Sequence, residues 1–171
     1  MILLLKLLLA HVLGDFCFQP DRWIADKRHR KFRSPKLYAH IGVHAVLLIV
    51  ITGFTVDYWA GIIIILLSHL LIDLAKLHVT DSRFNGLAFV LDQLSHVAIL
   101  TLVAGYYDKF PFSLATGLSP VHWYLITLLA ITLFVPAVII KLLIAQWRPE
   151  TADPQPDRLP KEGVSLVKAG R

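Results

Sequence analysis

The sequence predicts an all-α fold, a polytopic membrane bundle of about five transmembrane helices, and three observations predict it. Hydrophobic residues fill 56% of the 171 positions, and a mean hydropathy of +0.64 is too high for an ordinary soluble domain. The apolar residues fall in stretches of about 20, the length that crosses a hydrocarbon core of about 30 Å. Most Lys and Arg residues gather between those stretches, as they do in the cytoplasmic loops of membrane proteins.

Residues 1–19 form the first apolar stretch, ended by Gln19-Pro20 because proline disfavours helical geometry in the residue before it. The stretch has no basic start and no Ala-x-Ala site and contains His11 and Asp15, so it reads as a retained helix and not a cleaved signal peptide. Residues 21–36 carry Arg22, Lys27, Arg28, Arg30, Lys31, Arg33 and Lys36 against Asp21 and Asp26, a strong cytoplasmic-loop signal. Further helices are expected over residues 37–55, 58–77, 87–106 and 122–146, the last kinked at Pro136. Residues 1–148 therefore make one bundle. Residues 149–171, with Pro149, Pro154, Pro156 and Pro160 and mixed charge, read as a disordered cytoplasmic tail. With the N-terminus outside and the C-terminus cytoplasmic, all three basic segments fall on one side. Tyr106, Tyr107, Trp123 and Tyr124 read as an outer aromatic belt, and Trp147 as its inner counterpart.

Charge and cysteine content exclude other classes. The net charge of +5 lies beside the membrane segments, so membrane lipid is the expected partner and nucleic acid is not. A homo-oligomer is left open. Cys17 is the only cysteine, so neither an intrachain disulfide nor a cysteine metal site can form.

Function is sought in ionisable residues on apolar segments, where they are costly and normally face a protein interior. His11 and Asp15, His40 and His44, His69 and Asp73, and Asp92 and His96 are each four residues apart, one turn on one helix face. Up-and-down topology brings all four pairs to a similar depth, about 5 to 13 Å from the cytoplasmic boundary at 1.5 Å per residue. The order His-x3-Asp inverts to Asp-x3-His as the helix direction inverts, which fits a shared site. A shallow layer of Asp15, His40, Asp73 and Asp92 and a deeper layer of His11, His44, His69 and His96 are expected. Eight N and O donors suit two divalent ions, with Zn, Mn and Fe all compatible. Three carboxylates brought together would otherwise repel or take up protons. Lys76, on the face of His69, together with Arg22 and Gln19 are candidate substrate-binding residues. The basic loop is expected to be a topology signal or an anionic-lipid contact, the alternative being that Arg22, Lys27 and Arg28 hold a phosphate at the mouth of the site. Gln93 is expected to point away from Asp92, and His29, His78 and His122 to be exposed or interfacial.

Taken together, His11-x3-Asp15-Phe16-x2-Gln19, His40-x3-His44, His69-x2-Ile72-Asp73-x2-Lys76 and Asp92-Gln93-x2-His96 resemble an uncharacterised family of small bacterial integral membrane proteins, a domain of unknown function. The resemblance covers about residues 1–106 and implies a bacterial inner membrane location. It brings no established reaction with it. A looser similarity, in ligand type alone, is to membrane-bound metal-dependent hydrolases.

The expected function is therefore a metal-dependent hydrolase at the cytoplasmic leaflet, acting on a lipid-linked or phosphate-containing substrate. A divalent-cation transporter or sensor is the first alternative, but the outer halves of the helices are nearly all aliphatic. A dimetal lipid oxidoreductase is the second, but the clustered His-x2-His-His of membrane desaturases is absent.

Overall fold

Each apolar stretch of the sequence becomes a helix in the structure, a computed structural model that describes residues 2–78, 85–109 and 118–146. No strand occurs among the described residues. Arg83, Trp147, Arg148 and the expected tail lie outside them. The helices are α1 (Ile2–Val12), α2 (Asp21–Arg30), α3 (Pro35–Thr52), α4 (Trp59–Lys76), α5 (Asn85–Tyr107) and α6 (Pro120–Gln146). Four of them are long and apolar enough to cross a membrane, and a fifth crossing is possible if α1 and its bent continuation count as one span. The chain is thus a multi-pass membrane protein.

Two features of the first third depart from the sequence reading. The helix expected over residues 1–19 stops at Val12 and continues as a π-helical turn, Leu13–Cys17, closed by Phe18 N donating to Leu13 O at 2.9 Å. Residues 21–36, expected as a loop, are mostly helical. Asp21 opens α2 and Lys27 to Arg30 close it, a charge order that complements the helix dipole, and a 3-10 turn, Lys31–Arg33, follows. The segment Asp21–Arg33 is bent by 84° from Ile2–Cys17. It is tied to the start of α3 through Ser34, whose hydroxyl donates to Asp26 Oδ2 at 2.5 Å and accepts from Lys36 N and Leu37 N. Ser34 and Pro35 together make a standard helix start. Gly53 ends α3 in the left-handed region, at φ 78°, where a side chain would be strained.

Helix α1 packs on α3, α3 on α4, α4 on α5 and α5 on α1. These four helices close into an antiparallel ring, and α6 stands outside it against α1. Leu3, Leu7, Ala10, Leu48, Ile62, Ile65, Leu100, Val103 and Ala104 fill the ring's interior in its first half. Tyr107 closes that end: its ring meets Tyr58 at 5.1 Å and its hydroxyl accepts from Gly61 N at 3.1 Å. Tyr107 and Trp123 are buried, whereas Tyr106 and Tyr124 are exposed, so only part of the expected outer belt faces outward. Helix α6 continues through Pro136 and turns most of its large apolar side chains outward, as a lipid-facing helix should.

Leu48 is 1% exposed within the ring, and Leu102 is 69% exposed on its outside. Leu48→Ala should therefore destabilise the protein by about 2–5 kcal/mol, with Leu102→Ala close to neutral. Thermal unfolding in detergent micelles measures both, and equal losses would contradict this packing.

Candidate metal centre

The four ring helices each carry one of the spaced pairs, and the structure brings all eight side chains together. Imidazole centroids lie 4.0 Å apart for His44 and His69, 4.1 Å for His69 and His96, and 5.0 Å for His11 and His96. His40 sits on the other side of this group, 4.6 Å from His44 and 5.1 Å from His69. All five rings are buried.

Asp15 is at the centre. Its Oδ1 lies 2.9 Å from His44 Nε2, 3.3 Å from His40 Nε2 and 3.5 Å from His69 Nε2, while its Oδ2 lies 3.9 Å from His11 Nε2. His40 Nε2 and His69 Nε2 are 3.1 Å apart. Two ring nitrogens that close either share one proton or serve one cation. A tetrahedral zinc with bonds of about 2.0–2.1 Å has ligand-to-ligand edges of about 3.3 Å. The Asp15, His40 and His69 triangle, at 3.1 to 3.5 Å, is close to one face of such a tetrahedron.

Three overlapping groups could hold an ion, with one ligating atom from each residue inside 4.8 Å: His11, Asp15, His44 and His69; His40, His69 and Asp73; and Asp73, Asp92 and His96. His96 Nδ1 donates to the Asp92 carbonyl at 2.7 Å, which leaves Nε2 as a bare acceptor, the tautomer a metal ligand needs. Buried atoms without a hydrogen-bond partner include His11 Nε2, His96 Nε2 and Asp92 Oδ1. A buried acceptor without a partner is costly, and a cation would satisfy it. On the apolar side of the imidazoles lies a water-sized cavity lined by His11, His44, His69, His96, Ser68 and aliphatic side chains that include Leu7 and Leu48.

Lysines complete the arrangement, and here the sequence reading missed a partner. Lys27 is carried in by α2, and its Nζ donates to Asp73 Oδ2 at 2.7 Å. Lys76 Nζ donates to Asp92 Oδ2 at 2.6 Å. The first pair is buried on both sides, and Lys76 keeps 34% of its side chain exposed. With neutral histidines, the three carboxylates and two ammonium groups leave one net negative charge. No helical spacing connects Lys27 to residue 73, so its pairing with Asp73 was not legible. Gln93, expected to point away from Asp92, instead donates to Asp92 Oδ2 at 3.0 Å and to Asp15 Oδ2 at 3.4 Å, because its long side chain folds back across the helix. Arg22 is exposed and Gln19 half-buried, and among the described residues neither is hydrogen-bonded or ion-paired to the cluster. His29, His78 and His122 are exposed. Lys6 was not singled out from the sequence, yet its Nζ is buried with no hydrogen-bond partner, 4.6 Å from the Trp123 ring.

The backbone makes room for this cage at Gly14, inside the π-helical turn. A Cβ there would collide with the His44 ring, so only glycine lets His44 lie against the turn and reach Asp15. Gly14→Ala should push His44 off Asp15 and destabilise the protein by about 1–3 kcal/mol. Gly42, where a Cβ meets nothing within 4 Å, is the control, and equal melting temperatures for Gly14→Ala and Gly42→Ala would contradict the close approach.

No curated protein and no solved structure matches the chain. Residues 3–125, which hold the whole cluster and both of its lysines, match the family described as "Protein of unknown function (DUF3307)", and the chain belongs to that family.

Proposed function

We propose that this membrane protein is a metal-dependent hydrolase whose His/Asp centre opens toward the cytoplasmic leaflet and acts on a lipid-linked or phosphate-containing substrate. One observation carries the reading: His40 Nε2, His69 Nε2 and Asp15 Oδ1 converge at 3.1 to 3.5 Å, drawn from three different helices. A cytoplasmic orientation for this end is supported by the basic residues of α2 and the turn after it. Zinc or manganese suits the mixed N/O donors, and iron is the third candidate. A first ion would be held by Asp15 with His40, His44 and His69. A second would be held by Asp73, Asp92 and His96.

A divalent ion in such a site lowers the pKa of a bound water toward neutrality and supplies a nucleophile. The chain's own residues do the rest. His11, whose Nε2 has no hydrogen-bond partner, takes the proton of the attacking water as the new P–O bond forms. It returns that proton to the leaving oxygen as the old bond breaks, which supplies the acid-base group a ligating carboxylate cannot be. The buried Leu7, Leu48, Ile65 and Leu100 around the inner cavity oppose the passage of ions through the bundle, and so oppose a transporter.

Detergent-purified protein should contain at least one equivalent of zinc or manganese by elemental analysis. Chelation should abolish release of phosphate from phosphatidic acid, and the metal should restore it. Asp15→Asn should lose most of the metal and at least about a hundredfold in rate, since it breaks the first-ion set. Wild-type protein without metal would overturn the reading. Iron with a visible absorption band would replace it with oxidation, and bound metal without any hydrolysis would replace it with sensing.

A further inference from the structure

The second trio is incompletely satisfied in a specific way. Asp73, Asp92 and His96 place ligating atoms within 4.8 Å of one another, and lysines cover only part of that set. Lys27 takes Asp73 Oδ2 and Lys76 takes Asp92 Oδ2, while Asp92 Oδ1 and His96 Nε2 stay buried without partners. Both orphans are acceptors. A cation placed among them would satisfy both and would compete with the two ammonium groups for the carboxylates.

We propose that Lys27 and Lys76 form a phosphoryl-binding pair: they neutralise Asp73 and Asp92 in the metal-free cage and turn to the phosphate of an incoming substrate when a second divalent ion takes those carboxylates. The inference rests on the metal-dependent reading above and names its substrate class. Charge supports it. Two divalent ions and two ammonium groups against three carboxylates leave the cage with a net charge of about +3, which favours an occupant carrying two or three negative charges. A phosphate monoester or a diphosphate meets that need. Position supports it as well. Lys76 stands at the end of α4 with a third of its side chain exposed, at the mouth of the cage. Lys27 enters from α2, the helix bent across that same end, and the lysine ammonium is a compact partner for phosphoryl oxygens. The shared chemistry is a phosphoryl dianion, which either free phosphate or a lipid headgroup supplies.

The test uses the full chain in detergent micelles, loaded with manganese or zinc, and titrates it calorimetrically with inorganic phosphate in one arm and phosphatidic acid in mixed micelles in the other. Wild-type protein should bind in at least one arm. Lys27→Met and Lys76→Met should each weaken that binding by about ten- to a hundredfold, while metal content holds or rises because a competitor for a ligand has gone. Lys27→Arg, which keeps the charge, should retain most of the binding, and Lys76→Met at its partly exposed site carries the test if Lys27→Met does not fold. Binding to phosphatidic acid alone assigns a lipid headgroup, and binding in the phosphate arm assigns the free ion. Unchanged affinity in both methionine variants with metal intact would overturn this inference and leave the metal-dependent reading standing. Loss of metal together with phosphate in both variants would make the lysines structural and overturn the exchange. Wild-type protein without metal would overturn both readings.

Discussion

Three carboxylates inside an apolar helix bundle set the terms for the rest of the structure, and the Lys27 to Asp73 ion pair at 2.7 Å shows how those terms are met. Moving an isolated charge out of water is costly, and removing one partner from a buried pair leaves that cost uncompensated. Each feature near the cage follows from the need for counter-charge. Helix α2 bends across the end of the ring and is fastened by Asp26 and Ser34 to α3, which delivers Lys27 to its place. Lys76 reaches Asp92 from the end of α4. Among the described residues Asp15 has no lysine partner and is surrounded by imidazoles instead.

The ring of α1, α3, α4 and α5 explains why the cage sits at one depth. Antiparallel neighbours run in opposite directions, so the chain places its pairs near the ends of α1 and α4 and between the start and the middle of α3 and α5. That alternation turns a sequence rhythm into a layer. The opposite half of the ring is filled with Leu, Ile and Val and is closed by Tyr58 and Tyr107. Polar chemistry and apolar support are thus separated along the bundle axis, and α6, outside the ring, adds a second apolar cluster in which Trp123 and Ala130 pack on Leu9 and Val12.

Much of this was legible in the sequence because membrane helices confine polar residues severely. A histidine in soluble protein has many uses, whereas His11, His44, His69 and His96 on apolar segments have few. Spacing exposed the helix faces, and the inversion of order exposed the shared depth. What escaped has physical reasons. The π-helical turn at Leu13–Cys17 carries no distinct residue signature, and the closeness of Gly14 to His44 is a tertiary fact. The pairing of Lys27 with Asp73 is likewise tertiary. Burial of Lys6 against Trp123 depends on where α6 docks on α1, which periodicity does not encode. Gln93 was misread because helical angle governs the Cβ direction, and a long side chain need not follow it.

The aliphatic floor beneath the imidazoles has a kinetic meaning. Leu7, Leu48, Ile65 and Leu100 line that side of the cavity, so a polar solute crossing from there would first have to shed its hydration, a barrier that slows such passage.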